Sequence, residues 1–206
     1  MFARVTRFQA APDQLDALIT MYREELAPAV GQQAGNLGAA LLVDRTSGAG
    51  HSITYWDGAA TMEASEQAVV PLRERVAQAG AQLGEIDRLE IVIQERTQPT
   101  RANTFVRVND FRGTPANVDE SIAFARDRVL PVLKAQKGFR ANVVAVNRAT
   151  GRLLASSIWD TAAEREASEP VIAELRREAG RMANNANVSV ELYESAFVEI
   201  KQAAQV

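Results

Sequence analysis

Apolar and polar side chains alternate from the first residues of the chain: Phe2, Arg4, Thr6 and Phe8 fall on one side, and Ala3, Val5 and Arg7 on the other. A two-residue period is that of a β-strand. The period then changes. Leu15, Leu18, Ile19, Tyr22, Leu26 and Val30 recur at helical spacing and predict an amphipathic helix. Pro28 lies late in that pattern, where it removes one backbone hydrogen bond, so a kink or a tightening is expected there. Gly35 supplies a left-handed stop. The run AALLV that follows is almost continuously apolar, as a strand covered on both faces would be. A turn over Asp44–Gly48 leads to a third strand ending at Trp56. Ala59 to Ala79, rich in Ala, Glu and Arg, predicts a second helix, and Arg88 to Gln94 a closing strand.

The same order then recurs. A shift that lays Arg4 on Arg107 also pairs Pro28 with Pro131, Gly35 with Gly138, Gly48 with Gly151, Trp56 with Trp159 and Asp57 with Asp160. Such a run of matches without a gap marks an internal duplication. The second copy has strands at Phe105–Arg112, at NVVAV and up to Trp159, a helix with Val118, Ile122, Val129 and Leu133 on one face, a second helix over Ala162–Met182, and a strand at Val188–Tyr193. The expected organisation is a first repeat over 1–95, a polar linker over 96–103, a second repeat over 104–200 and a tail over 201–206.

Each copy reads strand-helix-strand-strand-helix-strand, a ferredoxin-like βαββαβ unit of the α+β class. Its two helices cover one face of a four-stranded antiparallel sheet. The other face would expose residues such as Val43, Ile53 or Tyr55 and Val144, Ile158 or Leu192, which is too much apolar surface for a lone unit in water. Packing the two sheets face to face into one pseudo-dimeric α+β barrel resolves this within one chain. The competing architecture is two separate ferredoxin-like domains, each pairing with another molecule. A barrel completed internally can still pair through its helices into a further homodimer.

Composition narrows the partners. Among 206 residues, 26 acidic side chains nearly balance 23 basic ones, and no basic run would track a phosphate backbone, so nucleic acid is not an expected partner. No apolar stretch is long enough to span a bilayer and the N-terminal segment reads as a strand rather than a leader, so no membrane partner and a cytoplasmic location are expected. The chain has no cysteine and a single histidine, His51, which excludes disulfides, thiolate chemistry and multi-histidine metal centres. No metal and no cofactor are expected.

The element order, the late proline of the first helix and the segments SITYWDGAATMEASE and ASSIWDTAAEREASE together resemble the dimeric α+β barrel superfamily. The closest resemblance is to the antibiotic biosynthesis monooxygenase group, with both halves of the usual dimer fused. It covers nearly the whole chain. The resemblance implies a small-molecule, aromatic or polyketide-like ligand and either a cofactor-independent monooxygenase or a non-catalytic binding module on the same barrel. The haem-degrading branch of the superfamily carries an asparagine on the first strand, a tryptophan ending the third and a histidine about ten residues on. Asn109 and Trp159 match the first two, but Ser168 or Glu169 stands at the histidine position, and Ser65 or Glu66 in the first copy, where Thr6 also replaces the asparagine. Haem ligation thereby loses its ligand.

The candidate catalytic residues are Asn109, Trp159 and Arg107, and the candidate ligand-binding residues are Trp56, Arg4, Thr6 and Ser157. Each tryptophan shares a strand face with small side chains, which leaves room for a flat ring to stack, or else it fills the core. Arg4 and Arg107 lie in mid-strand and need an anion: a substrate enolate or carboxylate, or a structural partner among Asp57, Glu90, Asp160 and Glu191. Asn109 can orient a carbonyl or dioxygen, or satisfy nearby backbone. His51 is expected at an exposed hairpin edge, Tyr22, Tyr55 and Tyr193 as packing residues, and the Glu and Arg of the second helices as a solvated face.

Overall fold

The computed structural model describes residues 1–99, 101–184 and 188–201. Eight strands pair in the order β1-β3-β2-β8-β5-β7-β6-β4 and close into one antiparallel barrel, so the chain is the α+β barrel of two βαββαβ repeats that the sequence implies. The strands are β1 (Phe2–Gln9), β2 (Asn36–Val43), β3 (Ala49–Trp56), β4 (Gln82–Arg96), β5 (Phe105–Arg112), β6 (Phe139–Asn147), β7 (Arg152–Trp159) and β8 (Ser189–Ile200). Both closing strands are longer than the apolar pattern predicted, because their outer parts carry mostly polar side chains that give no core-facing signal. Their length has a purpose. The chain divides into two compact units, one of Met1–Leu89 with a short piece ending at Asn103 and the chain from Tyr193 onward, the other of Glu90–Pro99 and Thr104–Leu192. β4 therefore begins in the first unit and ends in the second, and β8 does the reverse. The tail beyond Lys201 lies outside the described residues.

Within the first unit, β1 pairs with β3 so that Arg4 meets Thr54 and Phe2 meets Trp56. In the second, β5 pairs with β7 so that Arg107 meets Ser157 and Asn109 meets Ala155. The face bearing Arg4, Thr6 and Phe8 lies under the helices. Val43 and Val144, expected on the opposite face, also lie in the helix-covered cores, Val43 with Leu15, Leu18 and Ile19 and Val144 with Val118 and Ile122. Near-continuous apolar runs such as AALLV leave strand parity undetermined, which is why sequence alone could not assign their face.

The first helix of each copy is composite. In the first unit α1 (Leu15–Met21) passes through a π-helical turn over Tyr22–Leu26 into α2 (Ala27–Gly31). In the second, α5 (Val118–Phe124) passes through a π-turn over Ala125–Val129 into α6 (Leu130–Lys134). Instead of the expected kink or tightening, the helix widens. Ala27 donates its N–H to the Tyr22 carbonyl and Leu130 to the Ala125 carbonyl, each five residues back. The bulge lies directly ahead of Pro28 and Pro131, whose rings lack an N–H and would clash with the carbonyl four residues earlier in a regular α-helix.

The second helix of each copy is broken: α3 (Ala59–Ala64) and α4 (Glu66–Gln78) meet at Ser65, and α7 (Ala162–Ala167) and α8 (Glu169–Met182) meet at Ser168. Gly35 and Gly138 hold φ of 76° and 74°, and a Cβ at Gly35 would come within 2.4 Å of Asp57 Oδ1. Left-handed backbone and close approach together require glycine there. No helix among the described residues is long and apolar enough to cross a membrane.

Candidate functional site

Each unit has a cavity between its sheet and its helices, about 70 Å³ in the first and about 60 Å³ in the second. In the first, Leu15, Leu18 and Ile19 from α1, Leu41 and Val43 from β2 and Val69 from α4 make apolar walls, with Arg4, Thr6, Ser52, Thr54 and Arg73 on the polar side. The second is lined by Val118, Phe124, Val144 and Leu153, with Asn109, Asn117, Ser121, Asn142 and Arg176 as polar groups. The π-turns contribute wall residues to both, Tyr22 and Leu26 in one and Ala125 and Val129 in the other.

Of the three candidate catalytic residues, only Asn109 borders its cavity. Trp159 is fully buried and packs with Leu133, Phe139 and Ile172, while Trp56 does the same with Val30, Met62 and Val69. Each indole N–H is satisfied two residues back, Trp159 by Ser157 Oγ at 3.0 Å and Trp56 by Thr54 Oγ1 at 3.0 Å. Ser157 thus serves the tryptophan and does not line the cavity. Beside each ring sits a guanidinium: Arg4 lies 5.4 Å from the Trp56 ring centre and Arg107 lies 5.9 Å from that of Trp159.

Both arginines are about 2 % exposed or less, and their anionic partner comes from a helix rather than from a strand. Arg4 Nη2 lies 3.1 Å from Glu66 Oε2 and donates to Ser65 Oγ and to the Met62 carbonyl. Arg107 reaches Glu169 at 3.1 Å, Ser168 Oγ at 2.9 Å and the Arg165 carbonyl. The serine at each helix break is what receives the buried guanidinium. Three of the expected partners are engaged elsewhere: Asp57 accepts from Thr61, Glu90 pairs with Arg148 and Asp160 with Arg140. Burial pushes the Arg4 pKa down to about 10 despite Glu66, and pushes that of Arg107 down likewise.

A third residue completes each network, and here the two copies differ. Arg73 binds Glu66, and Arg176 binds Glu169 through both oxygens at 2.8 and 2.9 Å. Arg176 also donates Nε–H to Asn109 Oδ1 at 2.6 Å, which fixes the amide with Nδ2 3.4 Å from the Ala155 carbonyl. Thr6 is too short to do the same for Arg73. The Glu and Arg of these helices, expected as a solvated face, are therefore partly a site network. The signal was present in the repeat, since the Ser-Glu pair and the arginine seven residues beyond it recur in both copies.

His51, expected at an exposed edge, is 2 % exposed and lies 3.3 Å from the Tyr193 hydroxyl. Tyr22 is buried with its hydroxyl on the Ala40 carbonyl at 3.0 Å, and burial drives its pKa up.

The networks predict an acid response. Hydrogen bonding from Arg73 and Arg176 holds Glu66 and Glu169 below the ordinary carboxylate range. A carboxylate with a lowered folded-state pKa stabilises the fold above its unfolded value, near pH 4.5, and loses that contribution as pH falls through the lowered value. Both are partly exposed, so solvent screens the effect. Urea melts should show Glu169→Gln less stable than wild type at pH 7, with the gap closing as pH falls below 4.5. A gap that stays constant would contradict the pairing.

The comparisons place this geometry. Residues 1–69 match the model of the family described as Antibiotic biosynthesis monooxygenase. The uncharacterized protein Rv2557 of Mycobacterium tuberculosis is 30% identical over 184 residues, covering 87% of this chain and 82% of that protein. Among solved structures, an anthrone oxidase-like protein superposes with a TM-score of 0.70 at 17% identity, covering 100% of this chain and 97% of the other. The heme-degrading enzyme of Listeria monocytogenes superposes with a TM-score of 0.52 at 10% identity, covering 93% and 98%. At those identities the structures speak for the fold alone. With the family match over residues 1–69, its repetition in the second copy and the barrel order, the chain belongs to the antibiotic biosynthesis monooxygenase family in a tandem-duplicated form.

Proposed function

We propose that the protein binds a small electron-rich aromatic molecule in the cavity of the second unit and oxygenates it without metal or flavin. The observation that carries this reading is Asn109, a cavity-wall amide whose oxygen is held by Arg176 and whose nitrogen has only a long 3.4 Å bond to the Ala155 carbonyl to exchange for a substrate oxygen. In this chemistry a deprotonated substrate reduces dioxygen directly: a ring CH₂ loses a proton, the carbanion carbon bonds to oxygen, and loss of water from the hydroperoxide leaves a ketone, so that CH₂ and O₂ become C=O and H₂O. Asn109 would orient the substrate oxygen and Arg176 would favour the anion. Among the described residues lining the cavity there is no carboxylate or imidazole, so the substrate must be acidic enough to pass its proton to water.

Size adds a condition. A cavity of roughly 150 Å³ is what it takes to hold benzene, so even one ring requires the wall to give. The π-turn over Ala125–Val129, which lacks regular α-helical bonding, is the part of that wall suited to move. The same small volume and missing base favour the second reading, a non-catalytic binding module.

Aerobic incubation with anthrone-like and hydroquinone-like phenols separates them. Wild type should outpace a protein-free blank, Asn109→Ala should lose at least tenfold of that excess, and Trp159→Phe should keep most of it. Equal rates in wild type, Asn109→Ala and the blank would remove the oxygenase reading for those substrates.

A further inference from the structure

The two cavities are built from the same repeat, yet their polar ends differ in one respect that bears on ligand chemistry. In the second unit Asn109 Oδ1 accepts from Arg176 Nε. In the first unit the equivalent strand position is Thr6, and Arg73 Nε is buried without a hydrogen-bond partner. Arg4, 2 % exposed and lining the same cavity, likewise has Nε and Nη1 buried without partners, its bonds to Met62, Ser65 and Glu66 all being made by Nη2. Two arginines that line one cavity thus hold three guanidinium nitrogens without acceptors. A buried N–H without an acceptor costs on the order of 1–3 kcal/mol, more when the group is charged.

Charge points the same way. Arg4, Arg73 and Arg88 all contact the single carboxylate of Glu66, and of these four groups only the cations Arg4 and Arg73 line the otherwise apolar chamber. An acceptor that is also anionic fits that imbalance, since charge-assisted bonds to guanidinium are about twice as strong as neutral ones. The volume, about 70 Å³, is roughly half of what accommodates benzene, so as built the chamber takes a body of only a few carbon atoms.

We infer that the first cavity is a binding site for a small apolar monocarboxylate, its carboxylate received by Arg4 and Arg73 and its hydrocarbon part lying against Leu18, Leu41 and Val69. The site deepens the small-molecule reading above, but it needs neither Asn109 nor oxygen chemistry. The duplication then has a consequence beyond closing the barrel: the Thr6/Asn109 difference leaves Arg73 Nε without an acceptor in one copy and supplies Arg176 Nε with one in the other.

The test uses the full chain, labelled with ¹⁵N, and titrates isovalerate, isovaleramide and 3-methylbutanol at constant ionic strength and pH 7. Isovalerate should bind at least tenfold tighter than either neutral analogue and shift the Arg73 Nε–H resonance downfield. Thr6→Asn, which supplies Arg73 with the amide oxygen that Arg176 already has, should fold and weaken isovalerate at least tenfold. Should that variant not fold, Arg73→Gln takes its place and should abolish the preference for the acid. Asn109→Ala should leave isovalerate binding unchanged while lowering any oxidation, which separates this site from the second one. Equal binding of all three ligands, no binding of isovalerate, or an unchanged affinity in the variant that folds would each overturn the assignment.

Discussion

Trp159→Ala should destabilise the second unit by about 3–5 kcal/mol, the range for deleting a large buried aromatic. The side chain has no exposed surface, packs edge-to-face on Phe139 with ring centres 5.8 Å apart, and lies in a cluster with Leu133 and Ile172. Truncation therefore leaves a void inside a packed wall, and two further groups lose partners. Ser157 loses the indole N–H, and the buried Arg107 guanidinium loses an aromatic face. Trp56→Ala in the first unit should act similarly, through Val30, Met62 and Val69. Chemical denaturation reads both directly. The alternative, in which the indole is a plate open to a stacked ligand, predicts a loss below about 1 kcal/mol, because an exposed side chain has little packing to lose. The stability result thus decides whether tryptophan belongs to the scaffold or to the ligand.

That distinction marks where sequence reading ended. The duplication, the strand order within each copy and the tryptophan positions all follow from two- and 3.6-residue periods, which are local properties and survive in a single sequence. The role of Trp159 is not local. A strand face shared with Ser157 and Ala155 is compatible with an open surface or with a filled core, and only the helix packed above it decides. Asn109 was legible because it stands out against Thr6 between copies. Arg176 and Glu169 were not, because charged residues on an Ala-rich helix usually face solvent; the break at Ser168, invisible to propensity, opens a helix that carries both to Arg107 and Asn109. The same blindness affected His51, whose place near a turn suggests exposure while its strand buries it.

Asp110→Ala should cost the second unit about 3–5 kcal/mol, because it removes one member of a buried ion pair. Asp110 and Arg152 are 4 % and 5 % exposed, and the guanidinium meets the carboxylate through two bonds, Nε to Oδ1 at 3.1 Å and Nη2 to Oδ2 at 2.9 Å. Forming such a pair returns little net free energy, since desolvating both charges offsets their attraction; losing half of it removes the attraction and keeps the desolvation cost of the remaining charge. Two variants therefore separate the mechanisms. Asp110→Leu alone should be as damaging as the alanine, whereas Asp110→Leu with Arg152→Met should recover most of the loss by removing both charges at similar volume. The first copy supplies the rationale, for Arg7 and Ala49 occupy the equivalent positions, so the βαββαβ unit itself does not require this pair. If the double variant is as unstable as the single one, charge is not the cause, and the site depends instead on the shape and hydrogen-bond geometry of the two side chains.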